Sequence, residues 1–171
     1  MLAARRVVAG LSGLLLTAFA ASAGAPEVGL TARNGMPLSS DGEHLVFAVD
    51  LATRNGSTTP LPIRSIDYTV SIEGTRFFSG TTQSFTVDSS SEKTVPVAGF
   101  EGGESEQKIL SSLRGKPEFR FVVSGTLHLR GEGNAVIDVP FSSAGSGSTP
   151  VELANAPERK PNGSTYSLLS Y

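Results

Sequence analysis

Apolar and polar residues alternate in short runs along the middle of the chain, and Gly, Pro, Asn and Ser separate the runs. Alternation with a period of two is typical of antiparallel strands that bury one face and expose the other. A shift of one residue would turn the large apolar side chains of such a strand to water, so the pattern also predicts which face is buried. It predicts strands at residues 43–53, 65–72, 75–79, 83–87, 93–98, 118–130 and 134–141.

Four of these strands carry rows of large apolar residues that we expect to face the core. The rows are Leu45, Phe47, Val49 and Leu51; Ile66, Tyr68, Val70 and Ile72; Phe119, Phe121, Val123, Leu127 and Leu129; and Ile137, Val139 and Phe141. Gly125 interrupts the third row and predicts a bend or a close approach of another strand, whereas Pro96 predicts an edge strand or a bulge. The turn at residues 131–134 predicts a hairpin between the last two strands.

Residues 104–113 depart from this alternation. Ile109, Leu110 and Leu113 have helical spacing, and Gly115 and Pro117 follow them, so we predict one short helix. About seven strands and a single helix predict an all-β fold, an antiparallel two-sheet sandwich of the fibronectin-III or immunoglobulin type. A small barrel is the main alternative.

The two ends of the chain differ from its middle. Residues 1–23 combine Arg5 and Arg6 with an apolar run of about 13 residues and with small residues at Ala21 and Ala23, the layout of a secretory signal peptide. The run is shorter than the roughly 20 residues of a membrane-spanning helix, so we expect cleavage after Ala23 and no membrane span afterwards. An uncleaved anchor is the alternative. Ser, Gly, Pro and Asn dominate beyond residue 142, which predicts a domain at residues 24–145 and a flexible tail at residues 146–171.

Composition and charge exclude several kinds of function. The chain has no Cys, which removes disulfides, thiolate metal sites and cysteine nucleophiles. It has 14 basic and 16 acidic residues, and removal of Arg5 and Arg6 leaves 12 against 16, so we expect no nucleic-acid partner. The signal segment predicts a bacterial protein that is periplasmic or secreted.

Few residues could carry chemistry. Neither His44 nor His128 belongs to a catalytic or metal-binding motif, and we expect both at the surface of a sheet. Acidic residues cluster at residues 101–106 and at Asp88 with Glu92. The first cluster suits the start of a helix, with calcium binding as the alternative. We therefore predict no catalytic, cofactor-binding or metal-binding residues, no cofactor and no enzymatic activity.

Two further features have both a structural and a functional interpretation. Four phenylalanines could line a cleft between the sheets that takes an acyl chain, although core packing is the simpler explanation; they are Phe77, Phe78, Phe85 and Phe100. The triplets Asn55-Gly56-Ser57 and Asn162-Gly163-Ser164 match the glycosylation sequon, but we interpret both as turns.

A series of turn and strand motifs resembles one known family. The motifs are Arg54-Asn55-Gly56-Ser57, Pro60-Leu61-Pro62-Ile63, Ile66-Asp67-Tyr68, Val70-Ser71-Ile72-Glu73-Gly74, Phe78-Ser79-Gly80, Val95-Pro96-Val97, Gly125-Thr126-Leu127-His128-Leu129 and Val139-Pro140-Phe141 with Gly145. In this order they resemble the late embryogenesis abundant type 2 (LEA type 2) family, also called the water stress and hypersensitive response (WHy) domain. The resemblance spans about residues 28–145. It departs from the family's Asn-Pro-Asn motif at Gly56 and Ser57.

The resemblance implies a folded sandwich without known catalytic residues, associated with desiccation or other stress. Its motif positions look structural, because Asn55 can bond its own backbone in a turn and Pro62 restrains the start of the next strand. Two hypotheses follow. The first is an exported, non-enzymatic domain that shields membranes or proteins. The second is a binding module for a lipid or other apolar ligand, or for a partner protein at a sheet edge.

Overall fold

The computed structural model describes residues 27–39, 45–100 and 102–154. The predicted signal peptide, most of the predicted tail, His44, Glu101 and Asn162 lie outside these residues. The described part holds eight strands, two α-helices and a 3-10 turn at Glu132–Asn134. The strands and α-helices are β1 Val28–Ser39, β2 Leu45–Asn55, β3 Leu61–Ile72, β4 Thr75–Thr81, β5 Phe85–Val87, β6 Glu92–Phe100, α1 Glu104–Leu113, β7 Glu118–Arg130, β8 Val136–Ser148 and α2 Val151–Ala154.

The strands form two separate antiparallel sheets. One sheet has three strands in the order β1-β2-β6. The other has five: its main path is β4-β3-β7-β8, and β5 pairs with the first residues of β3. The predicted all-β, two-sheet fold with one short helix between β6 and β7 is therefore confirmed, and the strands do not close into a barrel.

The core lies between the two sheets and consists of the predicted inward rows. Phe47 of the three-stranded sheet packs against Phe119 and Phe121 of the five-stranded sheet, with ring centroids 5.8 and 5.5 Å apart. The three rings are fully or almost fully buried. The predicted inward faces of β2, β3 and β7 are confirmed. When an antiparallel sheet packs against the core on one face only, the alternation of apolar and polar residues along a strand shows directly which residues are buried.

Other local predictions are also confirmed. A Cβ atom on Gly125 would lie 1.9 Å from the carbonyl oxygen of Asp67, so β3 approaches β7 too closely there for any larger residue. Pro96 lies in β6, an edge strand of the three-stranded sheet. The helix α1 begins and ends at the predicted residues, and β7 and β8 form the predicted hairpin.

The structure corrects three predictions at the margins of the fold. Strand β1 was not predicted, because its pairing with β2 shifts register between Arg33 and Met36 and breaks the alternation. Strand β8 continues to Ser148, so the predicted end of the domain at residue 145 is wrong, and the segment 146–154 is ordered instead of flexible. Ile137 was predicted to face inward but is 39% exposed, because it lies at the tip of the β7–β8 hairpin.

Small residues explain why the second half of β8, residues 142–148, was not predicted. Its half-buried row includes Ser143, Gly145 and Gly147, which carry no apolar signal. A Cβ atom on Gly147 would lie 2.4 Å from the carbonyl oxygen of Gly35 in β1, and the backbone N–H of Ala32 donates to Ser143 Oγ at 2.9 Å. Strand β1 therefore crosses directly over β8 and closes one side of the sandwich.

Glu106 of α1 is buried, unlike the helix-start acid that we expected. One carboxylate oxygen accepts a hydrogen bond from the backbone N–H of Leu45, the first residue of β2. The carboxylate thus ties the helix to the three-stranded sheet.

Neither α1 nor α2, the two α-helices of the described residues, has the length and the apolar character of a membrane span.

Candidate functional site

A line of four polar side chains crosses the outer face of the five-stranded sheet and has His128 at its centre. His128 Nδ1 lies 2.7 Å from Asp138 Oδ1 of β8, and Nε2 lies 3.0 Å from Asp67 Oδ2 of β3. Thr81 Oγ1 of β4 donates to the other oxygen of Asp67 at 2.7 Å. We call these four residues the histidine ladder.

Both partners of the imidazole are carboxylates, which accept hydrogen bonds and do not donate them when ionised. The imidazole can therefore bond to both at once only when it is protonated. The hydrogen bond to Asp138, followed by that to Asp67, raises the pKa of His128 above its ordinary value. The pKa of Asp67 is lowered, first by the Thr81 hydroxyl and then by His128.

The geometry of the ladder does not assemble a nucleophile. The Thr81 hydroxyl donates to a carboxylate and not to the imidazole, so His128 is not placed to take its proton. His128 was expected at the surface of a sheet, and it lies on the outer face of the five-stranded sheet. The strand register also places Asp67 and Asp138 beside it, which the sequence did not indicate.

A second row on the same face consists of hydroxyls in direct register. Ser79 pairs with Thr69, Thr69 with Ser124, and Ser124 with Ser142, one residue from each of β4, β3, β7 and β8. Neighbouring strands lie about 4.8 Å apart, so the four hydroxyls form a regular line across the sheet. All four residues are exposed or half-buried. We call them the hydroxyl row.

A cavity of about 240 Å³ lies at the end of this sheet, beyond the histidine ladder. Its lining consists of Arg64, Arg130, Asn134, Ala135 and Val136. Arg64 comes from the point in β3 where the pairing with β7 shifts register, and Arg130 is the last residue of β7. We call this cavity the arginine pocket.

A larger, open groove of about 680 Å³ lies beside the bulge in β1. Its walls include Met36 and Pro37 of β1, Pro96 of β6 and Pro150 after β8. None of the four phenylalanines considered from the sequence lines this groove or the arginine pocket.

Those phenylalanines do not share one cleft. Phe77 and Phe78 are buried and pack edge to face, with ring centroids 5.6 Å apart. Lys93 lies over the ring of Phe85, and Phe100 is 68% exposed at the end of β6. Core packing therefore accounts for the first two, and the four are not brought together.

The Asn55 turn is structural, as the motif predicted. Asn55 is fully buried, and its side-chain N–H groups donate to the carbonyl oxygens of Thr59, Val87 and Asp88 at 2.8 to 3.1 Å. Its oxygen accepts a hydrogen bond from the backbone N–H of Ser57. The backbone N–H of Gly56 bonds to the carbonyl oxygen of Glu27, a bond that the Pro of the usual family motif could not make.

The acidic residues do not converge on a metal site. Within the described ranges, no group of three or more His, Asp or Glu side chains is placed to hold a metal ion. The structure thus shows a class of protein: a two-sheet β domain with a polar outer face and a network of structural turns.

The comparison with protein families identifies the family within this class. The model of the LEA type 2 family, described as late embryogenesis abundant protein, matches residues 50–148, more than half of the chain. The chain belongs to this family, which supports a stress-associated, non-enzymatic role. A search of curated protein sequences found no match.

Solved structures share the fold at low sequence identity. The solution structure of a protein from Arabidopsis thaliana has a TM-score of 0.61 and 12% identity, with coverage of 79% of this chain and 89% of that chain. The solution structure of a late embryogenesis abundant protein has a TM-score of 0.54 and 16% identity, with coverage of 74% and 72%. These similarities support the fold alone.

Proposed function

We propose that this protein is an exported, non-enzymatic domain that protects membranes or proteins when cells lose water. Membership of the LEA type 2 family supports the link to stress. The resemblance to WHy domains points to water loss as the form of stress, and residues 1–23 have the features of a signal for export.

The hydroxyl row is the observation that carries this proposal. A hydroxyl can both donate and accept hydrogen bonds, so it can replace a lost water at many kinds of polar surface. Ser79, Thr69, Ser124 and Ser142 present four such groups at regular spacing on an exposed sheet face. The carboxylates of the histidine ladder beside them add further hydrogen-bond acceptors. This face would contact client surfaces as water is removed.

A drying assay tests the proposal. A labile enzyme is dried and rehydrated with the exported protein, and phosphatidylcholine vesicles are dried and scored for leakage in parallel. We expect more recovered activity or less leakage than with an equal mass of albumin. Replacement of the hydroxyl row by Ser79→Ala, Thr69→Ala, Ser124→Ala and Ser142→Ala should remove most of the advantage.

A matched variant controls for the loss of four hydroxyls. It carries Thr58→Ala, Ser84→Ala, Ser89→Ala and Thr94→Ala, which remove exposed hydroxyls that lie outside the five-stranded sheet. The proposal predicts full protection by this variant. Equal protection by the native chain, the row variant and albumin would overturn it. The intact mass of the exported protein tests export itself, with Gly24 as the expected first residue.

The open groove beside the β1 bulge favours a second candidate function. Its prolines and Met36, which is about half exposed, offer an apolar surface to a lipid or another apolar ligand. The protein would then be a binding module. Native mass spectrometry is applied to protein purified from its own host, before and after solvent extraction. A bound ligand would add to the mass before extraction, and extraction would return the mass to that of the chain alone.

A further inference from the structure

Two arginines, Arg64 and Arg130, line the arginine pocket. Arg64 and Arg130 come from neighbouring strands, and both side chains are exposed to solvent. A bulge changes the direction of a side chain relative to a regular strand. The register shift in β3 occurs at Arg64 and accounts for its position at the wall of the cavity.

Neither arginine is neutralised by another side chain that the structure describes. Among the residues that the structure describes, no side-chain hydrogen bond or ion pair joins Arg64 or Arg130 to another group. The two aspartates of the same face are held elsewhere, because Asp138 bonds to His128 and Asp67 bonds to both His128 and Thr81. Two like charges at one cavity repel each other. An anion bound between them would attract both and offset this repulsion.

The donor set fits an oxyanion. A guanidinium presents five N–H donors in a planar fork that matches the oxygens of phosphate or carboxylate. Asn134, which carries a side-chain amide, belongs to the same lining. The cavity volume of 240 Å³ equals that of about eight liquid waters, enough for a phosphate group and the start of an ester chain.

The rim of the pocket is apolar. Val136 lines the cavity and is 44% exposed, and Ile137 follows it at the hairpin tip. Exposed β-branched side chains beside two arginines favour an ester that carries an apolar chain. We propose that the arginine pocket binds a phosphate group, either of an anionic phospholipid headgroup or of free phosphate. This site goes beyond the protective function and does not depend on it.

Two probes distinguish the sources of the phosphate. Inorganic phosphate is titrated into the exported protein while NMR follows the side-chain Nε–Hε signals of Arg64 and Arg130. Co-sedimentation is measured with vesicles of phosphatidylcholine and phosphatidylglycerol, and with vesicles of phosphatidylcholine alone. Saturable shifts of the two arginine signals, binding to the anionic vesicles only, or both, are the expected results. Shifts without sedimentation identify free phosphate as the source.

The double variant Arg64→Gln with Arg130→Gln should weaken either kind of binding by about tenfold or more. The matched control is Arg76→Gln with Arg120→Gln, which removes the same charge from the same sheet; Arg76 bonds to Ser79 there. The urea midpoint of each variant checks folding, and Arg64→Lys with Arg130→Lys replaces the Gln pair if that pair is unfolded. The proposal is overturned if neither probe binds, if binding survives loss of both arginines, or if the control loses as much binding.

Discussion

At the scale of single residues, position in the strand register decides what a polar side chain does. Asn55 acts within its own turn and the neighbouring loop, where it satisfies three backbone carbonyls. His128 instead depends on partners in two other strands, 10 and 61 positions away along the chain. The local motif indicates a turn at Asn55, but its bonds to Val87 and Asp88, 32 and 33 positions away, need the assembled fold, as do the partners of His128.

His128→Gln should make stability less dependent on pH. A raised folded pKa means that the stabilisation by His128 is complete below its unfolded pKa of about 6.5 and is lost as pH rises through the folded pKa. The contribution of Asp67 has the opposite sign: it is present above its unfolded pKa and is lost as pH falls through the lowered folded pKa. The benefit of the native pair is therefore greatest in mildly acidic solution.

Urea unfolding at about pH 5.5 and about pH 9 measures this effect. We expect the native protein to exceed the variant by under about 1 kcal/mol at the lower pH, because the ladder is partly exposed, and by less at the higher pH. His44→Gln is the control, and NMR titration of His128 should give a pKa above the ordinary value. A constant difference at both pH values would contradict the ladder.

At the scale of elements, the hairpin of β7 and β8 joins a strand whose apolar and polar residues alternate clearly to one in which this alternation is weak. Strand β7 alternates large apolar and polar residues, whereas the second half of β8 presents Ser and Gly toward the core. The glycines are required by close packing: a Cβ atom on Gly145 would lie 2.4 Å from the ring of Phe121. That ring therefore occupies the space that a side chain at residue 145 would need.

Phe121→Ala should cost roughly 3 to 5 kcal/mol of unfolding free energy, the usual range for an emptied aromatic site. The physical reason is that Phe121 is 2% exposed and contacts Phe47 across the core. Val122→Ala is the control, since Val122 is 39% exposed on the outer face, and it should cost less than half as much. Urea unfolding compares the two, and a reversed order would show that the register of β7 is wrong.

At the scale of the whole molecule, the segment after the predicted domain end closes the sandwich. Residues 146–148 continue the pairing with β7, and the backbone N–H of Thr149 donates to the carbonyl oxygen of Pro117 at 2.9 Å. Leu153 is buried, and the carbonyl oxygen of Ala154 accepts a hydrogen bond from Gly115. The end of β8 and α2 thus hold the loop after α1.

Truncation after Gly145 should destabilise the protein by at least about 2 kcal/mol, because it removes a buried leucine and several backbone hydrogen bonds. This reverses the expectation from the sequence, which treated residues 146–171 as dispensable for folding. Truncation after Ala154 is the control and should leave the urea midpoint unchanged, since residues 155–171 show no strand-length alternation. Equal midpoints for the two truncations would refute the role of this segment.

The sequence by itself determined the fold class, the bounds of α1 and the buried rows of β2, β3 and β7. These features depend on periods of two and 3.6 residues, which are local and are imposed by burial of one face. It also determined the family, through turn and strand motifs such as Arg54-Asn55-Gly56-Ser57 that are read along one segment of the chain.

Only the tertiary structure decided the extent of β8, the histidine ladder and the arginine pocket. The second half of β8 has no apolar alternation to detect, because β1 and two aromatic rings fill the space that side chains at Gly145 and Gly147 would occupy. Asp67, His128 and Asp138 meet through the register of three strands, and Arg64, at a register shift, lines the same cavity as Arg130. Register is a property of paired strands, so no single segment carries the information that brings these charges together.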